Sequence, residues 1–289
     1  MSSEQILERE RSRALPATVA TFVGIALLIV AISVGQGGTV GRSVTQILID
    51  FPDNRDSLLL AAILQAVGVT LLAAPLFYLF EAASARSDQM RHALIGITVA
   101  GPLFLAAAFV LEWVAYDAAA SAFADPHSGL GIPVGDYAED LLQGEVAFDA
   151  SQGLRFAGTL GLVVGVVYTS LHAMRVGLLT RFWGSLGMAL GVSILFLGLL
   201  GMLVFFAAVG ALIAGLWPRG RPPAWAAGEA VPWPTPGQEP EAAPDDPDRP
   251  ADPDEFTTSI EGSATEVSAD GEADAPQRSS APRKRKRRS

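Results

Sequence analysis

Six apolar stretches, each near the length of a membrane span and bounded by arginines on alternating sides, fill most of the first 217 residues. A hydrocarbon core of about 30 Å crossed at 1.5 Å per residue needs roughly 20 mostly apolar residues per helix. That ruler predicts an all-α, polytopic transmembrane helix bundle. The spans are expected at about 15–35, 58–80, 93–115, 154–174, 182–198 and 200–217. Pro75 and Pro102 fall inside the second and third, where a proline frees a carbonyl and kinks the helix. The first span follows Arg9, Arg11 and Arg13 and is too long for the apolar core of a cleaved secretory signal, so it reads as a retained anchor.

Residues 182–217 are the ambiguous passage, since one helix of that length would extend about 54 Å. Two short helices turning near Gly198 to Gly201 give six spans; one helix gives five. Charge favours six. Nine arginines, at positions 9, 11, 13, 86, 91, 175, 181, 219 and 221, share one side only if the number of crossings is even, leaving Arg42, Arg55 and Arg155 opposite. The positive-inside rule then puts both termini in the cytoplasm of a bacterial cell, with the chain a multi-pass protein of its membrane.

The opposite face is acidic. Between Tyr116 and Gly153 stand Asp117, Asp125, Asp136, Glu139, Asp140, Glu145 and Asp149, without a lysine or arginine. A solvated amphipathic helix leading into the fourth span accounts for this loop, although Asp125 with His127 and the paired acids also offer oxygen ligands of the kind a hard cation takes. In the shorter external loop, Val44, Ile47, Leu48 and Phe51 share a helical face, which predicts a short helix lying in the membrane interface.

Ionisable groups inside a span are costly and mark function. Glu81, Glu112 and His172 all sit near span ends, and Trp113 and Tyr116 beside Glu112 match an aromatic belt. The candidate functional polar positions are Gln65, the deepest sizeable polar side chain, with Glu112, Arg155 and His172. Glu112 and Arg155 are placed to pair between the third and fourth spans. Gly158, Gly161 and Gly165, then Gly184, Gly187 and Gly191, recur at helix-packing intervals that serve internal contacts or an oligomer.

No cysteine is present, which excludes thiol catalysis and thiolate metal sites. No strand and glycine-loop pattern for nucleotides, no G-x-S-x-G and no H-E-x-x-H occurs. The expectation is a non-enzymatic protein without a cofactor or metal.

The boundary between domains is read at residue 221. Residues 1–221 form the transmembrane domain, with 12 Arg against 16 acids, and 222–289 form a disordered tail rich in proline and acids. Its last residues, RSSAPRKRKRRS, invert the charge. Arg283, Lys284, Arg285, Lys286, Arg287 and Arg288 make a candidate contact cluster for anionic lipid, for the acidic stretch itself or for a cytoplasmic protein; nucleic acid is the weaker fit. Trp225 and Trp233 are expected to rest on the membrane interface. Ser279 and Ser280 abut the cluster, where phosphorylation would weaken attachment to lipid.

The LTRFWGSLGMALG opening of the fifth span at residues 179–191, the helical core and the Pro-rich, basic-ended tail resemble multi-pass membrane proteins of high-GC actinobacteria. That resemblance implies the helical membrane fold and supplies no catalytic residue. Two functions remain: a membrane organiser that recruits partners through its cytoplasmic tail, and a small-solute or ion permease whose acidic outer surface concentrates cations.

Overall fold

The structure is a computed structural model that describes residues 2–35, 41–91, 93–123, 134–217 and 220–233. The described residues are helical, without strands. Four helical passages are long and apolar enough to cross a membrane, Ser3–Gly35, Val44–Ser84, Leu94–Phe123 and Val146–Arg175, and two shorter apolar helices follow.

Helix α1 (Ser3–Gly35) starts twelve residues before the expected span, carrying the arginine-rich segment as further turns of the same helix. Helices α2 (Val44–Leu71) and α3 (Ala73–Ser84) form one nearly continuous passage, broken only at Leu72. The break has a local cause. Pro75 has no N–H to give the Leu71 carbonyl, so the ladder cannot run through this turn. In α4 (Leu94–Phe123), by contrast, Pro102 is carried without interrupting the helix.

The separate interfacial helix expected at 43–51 is not formed. Its apolar residues are instead the first turns of α2, started by the Ser43 hydroxyl, which accepts from the Gln46 N–H at 3.3 Å. Ile47, Leu48 and Phe51 are buried, and Leu48 and Phe51 pack in a small cluster with Ala115, Ala119 and Phe123 of α4 and with Ala138 and Leu142 of α5 (Val134–Gln143). Helices α4 and α5 of the same chain cover this face. Asp136, Glu139 and Asp140 line the exposed side of α5, giving it the amphipathic pattern of a helix lying on the bundle.

Helix α6 (Val146–Arg175) runs against α4 with their backbones in contact. A methyl group built on Gly101 would lie 2.6 Å from the Leu162 nitrogen, and one on Gly158 would lie 2.7 Å from the Leu105 nitrogen. Only glycine permits that approach. The second glycine series also packs internally: Gly184 faces Met174, Gly187 faces Ser170 and Phe205, and Gly191 faces Val166 and Val167.

Residues 182–217 divide in two. Helix α7 (Arg181–Leu197) ends at Gly198, whose φ of 65° lies where side chains other than glycine's are strained, and α8 (Leu200–Ala214) returns. The Trp183 and Trp217 rings meet edge-on at 5.2 Å, so the start of α7 and the residues after α8 share one end of the bundle. The main core lies between these helices, with Phe80, Leu79, Leu162, Met202, Phe205 and Phe206 fully buried.

The chain does not leave the bundle at residue 221. Residues 220–233, with the short helix α9 (Ala224–Ala227), fold back over the end formed by α1, α3 and the α6–α7 turn. The compact unit runs to Thr235, a boundary beyond the one expected. The reason is the tryptophans: the polar, proline-rich composition hides two large aromatic side chains, each with an N–H that finds a buried carbonyl. Asp125 and His127 lie outside the described residues, as does the tail from residue 234 on, including Ser279, Ser280 and the Arg283 to Arg288 cluster.

Candidate functional sites at the two ends of the bundle

Three of the four polar positions singled out from sequence come together at the end bearing Arg42 and Arg55. Gln65 of α2 and Glu112 of α4 line one cleft of about 240 Å³, walled by Ala31 and Ile32 of α1 and by the rings of Phe51, Trp113 and Tyr116. Phe51 stacks at 6.4 Å on Tyr116, with the planes 16° apart. Arg155 reaches across from α6 to donate to the Glu112 carboxylate, and its guanidinium lies 5.5 Å from the centre of the Phe109 ring. An apolar, aromatic cavity with two polar groups inside has the make-up of a small-molecule site. It offers a carboxylate and an amide to a solute.

Around the cleft the remaining arginines of this end are engaged as well. Arg55 forms a two-point pair with Asp117, its Nε 2.7 Å from Oδ1 and its Nη2 2.8 Å from Oδ2, and lies over the Trp113 ring. Arg42 pairs with Asp50. The acids of α5 and of the start of α6 are left as the surface charge. Among the described residues, no three His, Asp or Glu side chains come together as ligands for a metal ion.

His172 is apart from this group, near the opposite end of α6. It is buried against the Tyr168 ring, with centroids 4.4 Å apart, and its Nδ1 makes no hydrogen bond. The neighbouring hydroxyls of Thr169 and Ser170 are also buried without a partner. Together they form a polar patch inside the helix packing and not a wall of the cleft.

The more elaborate construction is at the arginine-rich end, and composition alone does not point to it. Arg86, fully enclosed, pairs with Glu10 of α1 and donates to the Ala224 carbonyl at 3.1 Å. Trp225 is the centre of this arrangement: it stacks on Tyr78 at 6.0 Å, lies under the guanidiniums of both Arg86 and Arg221, and donates its indole N–H to the Leu178 carbonyl at 2.9 Å. Arg221 in turn donates to the Leu212 and Ile213 carbonyls, capping the C-terminus of α8. Farther on, the Val231 N–H bonds to Val176, and the Trp233 indole N–H bonds to the Leu179 carbonyl at 2.9 Å. Gly177 makes room for this strand of chain, because a methyl there would lie 2.0 Å from the Val231 oxygen. Trp225 is thus buried in protein, not resting on the membrane interface, and Trp233 is tied to the α6–α7 turn.

A sequence signal for this dock does exist. Two tryptophans, Trp225 and Trp233, interrupt a proline-rich segment that otherwise has almost no bulk to bury. Arg86, an arginine in an ordinary loop by sequence, gives no such signal. Compared with protein families, with curated proteins and with solved structures, the chain matches none.

Proposed function

We propose that this is a non-enzymatic, six-span protein of a bacterial plasma membrane, both termini cytoplasmic, whose helical bundle holds a C-terminal tail in place for cytoplasmic partners. The observation that supports the reading most is the dock of residues 220–233. Two indole donors, an enclosed arginine and a stacked tyrosine fix the root of the tail to the bundle. A chain end with no task would not need such an anchorage.

The α7–α8 hairpin, which returns to the end it left, favours an even number of crossings. Arg9, Arg13, Arg86, Arg181 and Arg221 converge on that end through their contacts with Glu81, Glu10, Trp233 and α8, which favours placing it in the cytoplasm. The polybasic cluster Arg283 to Arg288 would then meet anionic lipid or an acidic protein surface.

The test compares crosslinked partners, identified by mass spectrometry in the native host, for the full chain, for a chain ending at Thr235 and for one ending at Gly220. The organiser reading expects partners to be lost equally from both shorter chains while membrane insertion persists. An unchanged partner set sinks it.

A second reading has its own observation, the cleft holding Gln65 and Glu112. As a small-solute or ion permease, the protein would support flux in proteoliposomes that Glu112→Gln or Gln65→Ala lowers, and that removal of the tail leaves intact.

A further inference from the structure

Two cavities meet at Trp233. One, of about 430 Å³, lies at the α6–α7 turn and is lined by Met174, Arg175, Arg181, Ser185, Pro232 and Trp233. Its described lining has two guanidinium groups and a hydroxyl, and Arg181 also donates to the Trp233 carbonyl at 3.2 Å. Among the described residues, the salt bridges of this end engage Arg9, Arg13 and Arg86, not Arg175. The pocket also sits at the N-terminus of α7, where Thr180 caps the Trp183 N–H and the first amides of a helix point outward without a carbonyl of the same helix to meet them. The positive end of a 17-residue helix thus adds to the two arginines.

The other cavity is a groove of about 980 Å³, bordered by Phe182, Trp183, Val204, Ala208, Leu216 and Trp217 as well as Trp233. Its walls are apolar and open: Phe182 is 67% exposed, Val204 62% and Leu216 73%. Arg221 also reaches this groove, but its guanidinium is committed to the α8 carbonyls.

We propose that these two cavities are one binding site for an anionic phospholipid, with the phosphate held by Arg175 and Arg181 and an acyl chain lying in the groove between α7 and α8. The pairing of features selects the ligand. A basic pocket alone would accept any phosphate, and an apolar groove alone any hydrocarbon; a pocket for one adjoining a groove for the other fits an amphiphile that carries both. Tryptophans at the junction are suited to the boundary between head groups and chains, and basic pockets beside spans on the cytoplasmic side bind anionic head groups.

Pro232 and Trp233 belong to the dock as well as to the pocket. The lipid therefore completes the wall against which the tail root rests, and the site works whether or not the tail recruits a protein.

The experiment uses the full chain, delipidated in detergent, titrated with phosphatidylglycerol, phosphatidylcholine or inorganic phosphate and read by native mass spectrometry. A one-to-one phosphatidylglycerol adduct is expected, with phosphatidylcholine binding roughly tenfold weaker. Arg175→Gln with Arg181→Gln should weaken the phosphatidylglycerol adduct by at least about tenfold, while Arg91→Gln, the loss of one charge at the same end, leaves it intact. Arg175→Lys with Arg181→Lys serves if the glutamine pair does not fold; its expected loss is smaller because the charge is kept, and what is lost comes from the missing two-point fork. Equal binding of the two lipids, equal loss in Arg91→Gln, or displacement of phosphatidylglycerol by equimolar inorganic phosphate each overturns the proposal.

Discussion

At the arginine-rich end, the Arg86 side chain is 0% exposed and its partner Glu10 11%; at the acidic end, Arg42, Arg55 and Arg155 remain 38%, 57% and 37% exposed. Both ends use arginine and carboxylate, yet the interactions do different work. Exposed pairs hold long side chains in water for little net stability, whereas an enclosed pair is costly to disrupt because the partner left behind is still buried. The contrast follows the backbone. The acidic end is covered by α5, a helix that puts apolar residues inward and charge outward. The other end is covered by residues 220–233, a segment with few hydrogen bonds of its own, which must borrow partners from the bundle.

Four substitutions probe this difference. Arg86→Ala removes the enclosed guanidinium from Glu10, Ala224 and Trp225 at once. A loss of about 3–5 kcal/mol is expected, read as a lowered midpoint of thermal unfolding in detergent; a shift no larger than that of Arg42→Gln would erase the distinction between the ends. Trp225→Ala should cost about 3 kcal/mol, and it has a local signature: protease cleavage within 220–233 accelerates while cleavage of the acidic loop does not. Arg155→Gln, which leaves the half-buried Glu112 without its partner, is expected to cost about 1 kcal/mol after allowance for solvent. Double-mutant cycles with Glu112→Gln measure whether that pair is coupled. Arg42→Gln should change the midpoint by no more than about 0.5 kcal/mol allows, which sets the floor of the scale.

The sequence is most informative where membrane physics leaves few choices. Long apolar runs marked out the helices because a chain in hydrocarbon must satisfy its backbone internally, and Gly198 fell within the expected turn because a helix of residues 182–217 would be too long. Arg55 and Asp117, 62 positions apart, illustrate what was hidden: nothing in either segment specifies the partner, which depends on how α2 and α4 pack. The same holds for the cleft. Gln65 and Glu112 stand out singly, as polar residues in apolar spans, whereas the sequence around Phe51, which walls the cavity with them, has the pattern of a separate interfacial helix. An amphipathic face looks alike in sequence whether it is covered by lipid or by α4 and α5. Residues 220–233 were obscured for the opposite reason. Their average composition is that of an unfolded tail, and the fold there rests on a few large side chains that an average conceals.

The backbone contact of α4 with α6 through Gly101, Gly158 and Gly161 has a mechanical corollary. A seam with no room for a methyl group is closed to water and to hydrocarbon alike, and two helices joined along it turn as one body. Glu112 and Arg155 ride on that body, one on each member, so no swing of α1 or α2 pulls the pair apart. A movement that widened the cleft would therefore fall on its other wall, the one built from α1 and α2.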